Sequence, residues 1–422
     1  MKILVLGLNY APEEIGIAAY TTGMCEDLAA SGHQVRVIAA PPYYPQWKIF
    51  PGFGGGWRRS REKDVDLTRC PLYVPAAPSG GKRLIHHVSF ALSAFGPLLK
   101  AALGFKPDVV MTVAPSLIAA PLAWLAARLS GARSWLHIQD FEVEAAFATG
   151  LLNDGNRVAR FARAFERRVV NLFDRVSSIS PEMCRKLTKM GVAQERIREF
   201  RNWADISRVS PLARDSAFRS EWNIATRHVA LYSGNIANKQ GIEIVLEAAT
   251  LLRHRDDLTF VICGEGPNRR PLEERAAGLP NILFRDLQPA ERLGELLGLA
   301  TVHLLPQKAD AADLVLPSKL TNMLASGRPV VATAAPGTGL AREIEGVGIA
   351  TPPNDAAAFS QAIERLIDDA DEWGHLSASA RARAMTVWNR QHIIGGLIED
   401  MKALCSRLAP MDRTSEPGGR HI

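Results

Sequence analysis

At 422 residues the chain is too long for one ordinary hydrophobic core, so two domains are expected. Its 47% hydrophobic and 22% charged content is that of a folded globular protein and excludes a mainly disordered one. A net charge of +6 and a pI near 9.1 point to anionic partners: nucleotides, an acidic lipid surface or nucleic acid.

The first predicted strand, Lys2–Gly7 (KILVLG), begins at once, without the regions of a signal peptide, so none is expected. A loop from Leu8 to Gly16 leads to a helix whose apolar positions Ile17, Tyr20, Met24 and Leu28 share one face. Gly32 closes that helix, and Gln34–Ala39 is the next strand. Pro42 to Lys63 stands apart: six aromatics from Tyr43 to Trp57 are followed by Arg58, Arg59, Arg61 and Lys63, with glycines and prolines between. Leu84–Phe105 and Ser116–Leu129 are strongly apolar, but neither holds about 18 uninterrupted apolar residues, so no dedicated membrane span is expected. Further strands are predicted at Asp108–Val113, Ser134–Ile138 and Arg175–Ile179.

After a polar, arginine-bearing stretch from Asn202 to Arg227 the rhythm restarts. Strands are predicted at His228–Ser233, Leu258–Cys263, Ile282–Phe284, Thr301–Leu305, Pro329–Thr333 and Gly348–Thr351. A helix carrying Ile242, Val245, Leu246, Ala249 and Leu252 follows the first of them. Such alternation argues for two α/β halves with parallel sheets and helices on both faces. A last helical pattern runs from Asp371 to Leu408, and Ala409–Ile422 is Pro/Gly/charge-rich, so disorder is expected there. Five scattered cysteines without a C-x-x-C exclude a disulfide framework and a structural zinc, as suits a reducing cytosol.

Several strand ends carry chemistry. Gly7 and Gly16 flank the first loop, but GLNYAP lacks the G-x-G-x-x-G dinucleotide fingerprint. In YSGNIANKQG, Ser233, Gly234 and Asn235 end a strand, and Lys239 stands just before a helix where phosphate oxygens could be met. CGEGP puts Gly264 and Glu265 at another strand end. HIQDFEVE gathers His137, Gln139 and Asp140; His137 reads more as a core histidine, Asp140 as the start of a loop. In LVLPSKLTNMLASGRPVVA a helix is predicted over Pro317–Gly327: Pro317 suits a first turn and Gly327 an exit. Leu316, Ser318 and Lys319 stand at its start, where amides, a hydroxyl and an ammonium could seat a phosphate; the same residues also suit a capped strut. Asp310 and Asp313 have the wrong spacing for a paired-carboxylate metal site, so no metal is expected.

Taken together, NYAPEEIGIAAY, FRNWAD, YSGNIANKQG, VICGEGP and LPSKLTNMLASGRPVVATA resemble, in order and spacing, the GT-B glycosyltransferases of family 4 and most closely their colanic-acid and exopolysaccharide group. The resemblance runs to about residue 400. It implies an N-terminal acceptor-side Rossmann-like domain (1–205), a C-terminal nucleotide-sugar domain (206–385), a helix returning to the first domain (386–408) and a tail (409–422). It also implies retaining, metal-independent transfer of a sugar from a GDP- or UDP-sugar, GDP-fucose among the candidates, to a polyprenyl-diphosphate-linked glycan at the inner membrane leaflet. No cofactor beyond the donor is implied.

By that resemblance Lys239 binds the diphosphate, Ser318 and Lys319 form the phosphate-binding helix start, and Gly16 lies on the acceptor side. The accompanying arginine of the family falls at Asn235. Its two glutamates fall at Leu314 and Asn322, of which Asn322 could still hydrogen-bond a ribose, and its histidine falls near Gln139 or Asp140. Lys239, Gln139 and Asp140 are the expected catalytic residues. Peripheral membrane contact is expected through Pro42–Lys63 and Leu84–Phe105. Three alternatives stay open: a GT-B sugar-nucleotide 2-epimerase, a GT-B protein that binds donor without transfer, and a nucleic-acid binder, against which the scattered basic residues argue.

Overall fold

The structure is a computed structural model that describes residues 1–13, 16–143, 157–308 and 319–406, and of Lys239 the backbone only. The first half forms an eight-stranded sheet: β1 (Lys2–Gly7), β2 (Gln34–Ala39), β3 (Arg58–Glu62), β4 (Val65–Arg69), β5 (Val109–Ala114), β6 (Arg133–Ile138), β7 (Arg175–Ser178) and β8 (Ile197–Glu199). Their order is β3-β4-β2-β1-β5-β6-β7-β8. The second half forms a six-stranded sheet from β9 (His228–Ser233), β10 (Leu258–Cys263), β11 (Ile282–Arg285), β12 (Val302–Leu305), β13 (Val330–Thr333) and β14 (Gly348–Thr351), ordered β11-β10-β9-β12-β13-β14. The expected α/β class with two Rossmann-like parallel sheets is the observed one.

Strand parity explains the two covered faces. Ile3 and Val5 point to the face packed by the helices Ile17–Ala30 and Arg390–Ser406. Leu4 and Leu6 point to the other, under Gly80–Phe105 and Ala120–Ser130. Gly80–Phe105 is long and apolar enough to cross a membrane by length and composition, but here one side of it, through Phe90, Ala94, Leu98 and Ala102, covers the sheet.

Three elements differ from the sequence expectation. β3 and β4 form an antiparallel hairpin at the sheet edge, joined by Lys63 (φ 45) and Asp64 (φ 63). Two successive left-handed residues are the geometry of a tight hairpin turn, and no glycine advertised it here. The single pattern over 371–408 is two helices, Ala370–Thr386 and Arg390–Ser406, with the buried Trp388 at the break. The predicted Pro317–Gly327 helix is observed as Lys319–Ala325 followed by Gly327 at φ 67; its proline start lies outside the described residues, as does the 409–422 tail.

The halves are joined by Phe200–Asp205. Trp203 meets Tyr20 edge-on at 5.2 Å, and Arg390 stacks over Trp203 while forming a bidentate pair with Asp27 at 2.6 and 2.8 Å. A Cβ at Gly23 would stand 2.9 Å from the Trp203 ring, so this helix carries glycine where the linker crosses it. Arg201–Glu343 (2.7 Å) and Glu182–Arg342 (3.0 Å) tie the two halves directly.

Candidate active site at the domain junction

In open parallel sheets ligands bind beyond the carboxyl ends of strands where the strand order reverses. In the first sheet that point lies between β1 and β5; in the second, between β9 and β12. The sites read from the sequence fall largely on these two crevices.

At the β9/β12 crevice, Ser233 is the last residue of β9 and is partly exposed. Gly234 (φ 138) donates its amide to the Cys263 carbonyl at 2.9 Å. Asn235 is exposed, and its carbonyl accepts the Tyr232 hydroxyl at 2.6 Å. The backbone of Lys239 lies in a short 3-10 turn, Asn238–Gln240. Gly264 and Gly266 explain how two loops share so little space. A Cβ at Gly264 would stand 1.9 Å from the Gly234 carbonyl oxygen, and one at Gly266 would stand 2.3 Å from that of Ile236. Gly264 has φ 154 and Gly266 φ 157, a conformation side chains disfavour. Glu265 is exposed and paired with Arg269, so it supports the loop from outside.

Lys319 projects into the same crevice. Its Nζ lies 4.1 Å from the centre of the Tyr232 ring, is buried, and has no hydrogen-bond partner among the described residues. A Cβ at Gly234 would be 3.6 Å from that Nζ, so the ammonium lies against the β9 loop. Burial lowers its pKa to about 7. A ring face offsets little of the cost of a desolvated cation, and an anion would offset far more. Asn322, three residues on, accepts the Asp205 amide on its Oδ1 at 2.9 Å, an interdomain contact. Leu314, Leu316, Pro317 and Ser318, with Asp310 and Asp313, lie outside the described residues.

The β1/β5 crevice has the opposite character. Gly16 precedes the helix Ile17–Ala30 at φ 65 with open space where a Cβ would go, so backbone conformation is what glycine serves there. Glu13 is buried; its Oε1 accepts the amides of Tyr43 and Tyr44 at 2.7 and 2.8 Å, and its Oε2 accepts Asn9 at 2.9 Å. Burial raises its pKa despite those bonds. Glu142 accepts the Leu117 amide at 2.8 Å, and burial raises it to about 7. Gln139 donates to the Asn202 side chain at 3.0 Å, which ties it to the interdomain linker, while Asp140 is partly exposed just beyond the end of β6. His137 is a core residue: it is buried, its Nδ1 meets Ser177 Oγ at 2.9 Å, its ring packs on Phe200, and burial lowers it to about 3.

Tyr20 and Thr321, joined by a side-chain hydrogen bond, bring the two crevices together. Sequence reasoning did not single out Glu13, Glu142, Tyr20 or Thr321. Glu13 lies within NYAPEEIGIAAY, and that placement in front of a helix was its only signal. Among the described residues no three His, Cys, Asp or Glu side chains are gathered to hold a metal ion.

A buried ammonium beyond β9 and buried carboxyls beyond β1 and β6 are thus linked through Tyr20 and Thr321 at one domain junction. Residues 16–203 match the Glycosyl transferase 4-like domain and residues 227–369 match Glycosyl transferases group 1. A relative named for colanic acid biosynthesis, the glycosyl transferase WcaI of Escherichia coli (strain K12), is 45% identical over 378 residues, covering 87% of this chain and 92% of its own. Among solved structures, sucrose-phosphate synthase from Thermosynechococcus elongatus has the same fold with a TM-score of 0.73 at 17% identity, covering 96% of this chain and 100% of that one. Anabaena HepE in complex with UDP aligns with a TM-score of 0.69 at 15% identity over the same shares. With both halves matched in order and one relative this similar along nearly its whole length, the chain belongs to the GT-B glycosyltransferases of family 4.

Proposed function

We propose that the enzyme transfers a sugar from a nucleoside-diphosphate sugar, with GDP or UDP as the nucleotide, to a hydroxyl of a polyprenyl-diphosphate-linked glycan in exopolysaccharide synthesis of the colanic-acid type. The observation that carries the reading is the buried ammonium of Lys319 at the β9/β12 crevice, without a hydrogen-bond partner among the described residues, where a diphosphate would complete it. Support for a nucleotide comes from the HepE complex with UDP, and support for the pathway from the relative named for colanic acid biosynthesis. Residues 1–205 would hold the acceptor and 206–385 the donor.

Breaking the anomeric C–O bond leaves negative charge on the nucleoside diphosphate. Lys239 and Lys319 would stabilise that charge as it develops, so neither a metal nor an acid is required by the mechanism. Retention of configuration follows from the family resemblance. Gln139 and Asp140, at the end of β6, would line the acceptor side. A cytoplasmic enzyme held peripherally at the inner membrane is the matching location, and its five free cysteines suit it.

Release of GDP or UDP from a sugar-nucleotide panel, with a lipid-linked oligosaccharide present and with or without EDTA, tests this; product NMR reads the anomeric configuration. Lys239→Ala should lower turnover by roughly a hundredfold or more. A wild-type rate would remove Lys239 from the mechanism. One observation favours a second reading: the Asn322 oxygen already serves Asp205 and is occupied by an interdomain contact. Nucleotide binding without release in every assay would select that reading, a donor-binding protein without transfer.

A further inference from the structure

The segment after β2 carries chemistry that neither the core nor the nucleotide crevice uses. Its backbone closes on itself: the Lys48 amide donates to the Tyr43 carbonyl at 3.2 Å, and the Phe50 amide to that of Pro42 at 2.9 Å. The loop so formed is fastened to the end of β1. Glu13 accepts the amides of Tyr43 and Tyr44, and the Asn9 side chain is hydrogen-bonded to both Glu13 and the Tyr43 hydroxyl. Glu142, beyond β6, acts electrostatically on the same hydroxyl. Tyr43 therefore stands at the β1/β5 crevice, among strand ends from both sides of it.

Three rings meet there. Tyr43 lies 4.7 Å from His86 and 5.6 Å from Trp47, and Trp47 lies 5.4 Å from His86, centre to centre. Trp47 is half-buried and holds φ 52, a left-handed conformation that a bulky side chain adopts only under strain. Such strain is kept where the position of a side chain matters more than stability. His86 is fully buried, and its Nδ1 lies 2.6 Å from the Tyr73 carbonyl. A carbonyl only accepts, so Nδ1 carries the proton and Nε2 is a bare lone pair. That lone pair is buried without a donor among the described residues. Buried acceptors in folded proteins are nearly always paired, so this one suits a hydroxyl brought by a ligand. At the end of β5 the buried Ser116 hydroxyl also lacks a partner among the described residues.

The rings and the lone pair together select one ligand chemistry. The C–H face of a sugar ring packs on aromatic faces, and its hydroxyls supply donors. Glu13, Glu142 and the Nε2 lone pair disfavour an anion, while Arg83, stacked 5.4 Å over the Trp47 ring, disfavours a cation. We infer that Tyr43, Trp47 and His86 form the subsite for a sugar ring of the acceptor, that this ring is a neutral hexose and not a uronic acid or amino sugar, and that Glu13 is the positioning residue that holds the loop. This rests on the proposed glycan acceptor and narrows it to one class of terminal sugar. Because His86 is fully buried, the Trp47 ring must swing aside as the sugar enters, and its strained backbone favours that release.

Saturation-transfer NMR on the full chain, with UDP present, tests it on the methyl glycosides of glucose, galactose, mannose, glucuronic acid and glucosamine. At least one neutral glycoside should take saturation at its ring C–H protons, and the uronide and the amino sugar should bind at least about tenfold more weakly. Trp47→Ala and His86→Phe should each weaken the neutral glycoside about tenfold; the phenylalanine keeps a ring and removes the nitrogens. Glu13→Ala should weaken it too, and Glu13→Gln, which keeps an oxygen for the two amides, should restore most of the binding. Circular dichroism and a wild-type thermal shift with UDP or GDP show that each variant is folded. No saturation of any neutral glycoside, equal binding of the uronide or the amino sugar, or unchanged binding by folded Trp47→Ala and His86→Phe would each overturn the subsite. Unchanged binding by folded Glu13→Ala would overturn its positioning role. Glycoside binding without sugar transfer in any assay would instead overturn the proposed function and leave the subsite standing.

Discussion

The two crevices that face each other at the domain junction are built from the same kind of strand ends, yet each buries the opposite charge. Between β9 and β12 stands Lys319, an ammonium over a tyrosine ring. Between β1 and β5 stand Glu13 and Glu142, carboxyls held by backbone amides. Burial works against the charged form in both places, lowering Lys319 to about 7 and raising Glu142 to about 7. The difference lies in what remains unsatisfied. Glu13 has amide partners for Oε1 and Asn9 for Oε2, so that carboxyl is satisfied as it stands. Lys319 has no hydrogen-bond partner among the described residues, which leaves its ammonium able to take an anion.

The largest effect expected from breaking this contrast is on nucleotide affinity. Lys319→Met should weaken binding of UDP or GDP roughly 30- to 100-fold, the worth of one charge-assisted contact in a desolvated site. The same change should raise the melting temperature of the unliganded protein, because it removes a buried cation without a hydrogen-bond partner among the described residues. Calorimetric titration and thermal melts read the two effects separately. A methionine variant that binds nucleotide as well as the wild type would mean that the ammonium serves only the fold.

The Glu142→Gln variant sharpens the comparison through pH. The folded pKa of Glu142 lies above the ordinary 4.5, so between 4.5 and about 7 the folded state holds a proton that the unfolded state has released. Stability therefore falls as pH rises through that window, and the full cost is present above it. The glutamine side chain would avoid that cost while still accepting the Leu117 amide, so the variant's gain in melting temperature should grow from pH 4.5 to about 7 and then level off. Lys319→Met should show the reverse profile. The folded pKa of Lys319 lies below the ordinary 10.5, so the gain from removing it is greatest at about pH 7 and below and shrinks as pH approaches 10.5. Parallel pH profiles for the two variants would show that their shifts do not come from opposite buried charges.

Much of this contrast was out of reach from the sequence, and the reasons are specific. Strands such as His228–Ser233 and Leu258–Cys263 were legible because both their faces are buried, which leaves an unbroken apolar run. β3 was not, because RRSRE at an exposed edge buries nothing and its turn lacks the usual glycine. Lys319 was readable as a helix-start residue. That its ammonium would lie against Gly234 depends on a loop far earlier in the chain, which no local pattern reports. That Glu142 turns back onto the Leu117 amide depends on a loop earlier in the chain, which the local pattern HIQDFEVE does not report. Gly264 stands at a strand end that the sequence marks, but the glycine's reason, close approach of two backbones, belongs to tertiary structure.

The smallest expected effect concerns what the two crevices share. Each sheet buries one neutral histidine against a serine: His137 at Ser177, and His303, whose Nε2 lies 3.0 Å from Ser326 Oγ. Ser326 Oγ donates to the Met323 carbonyl at 2.6 Å, so the His303 Nε2 carries the proton and donates to the hydroxyl. Burial lowers both imidazoles from 6.5 to about 3. Between those values the unfolded chain binds protons that the folded one refuses, so stability is full above pH 6.5 and is lost as pH falls toward 3. His303→Gln keeps a donor for Ser326 without a titrating ring. It should cost about 1 kcal/mol at about pH 7 and flatten the acid limb of the stability curve, measured by urea unfolding from about pH 7 down to about pH 4. Because Ser326 follows directly on the helix Lys319–Ala325, an acid limb that stays equally steep in this variant would place the labile group away from the β9/β12 crevice, among the other buried imidazoles His137, His86 and His87.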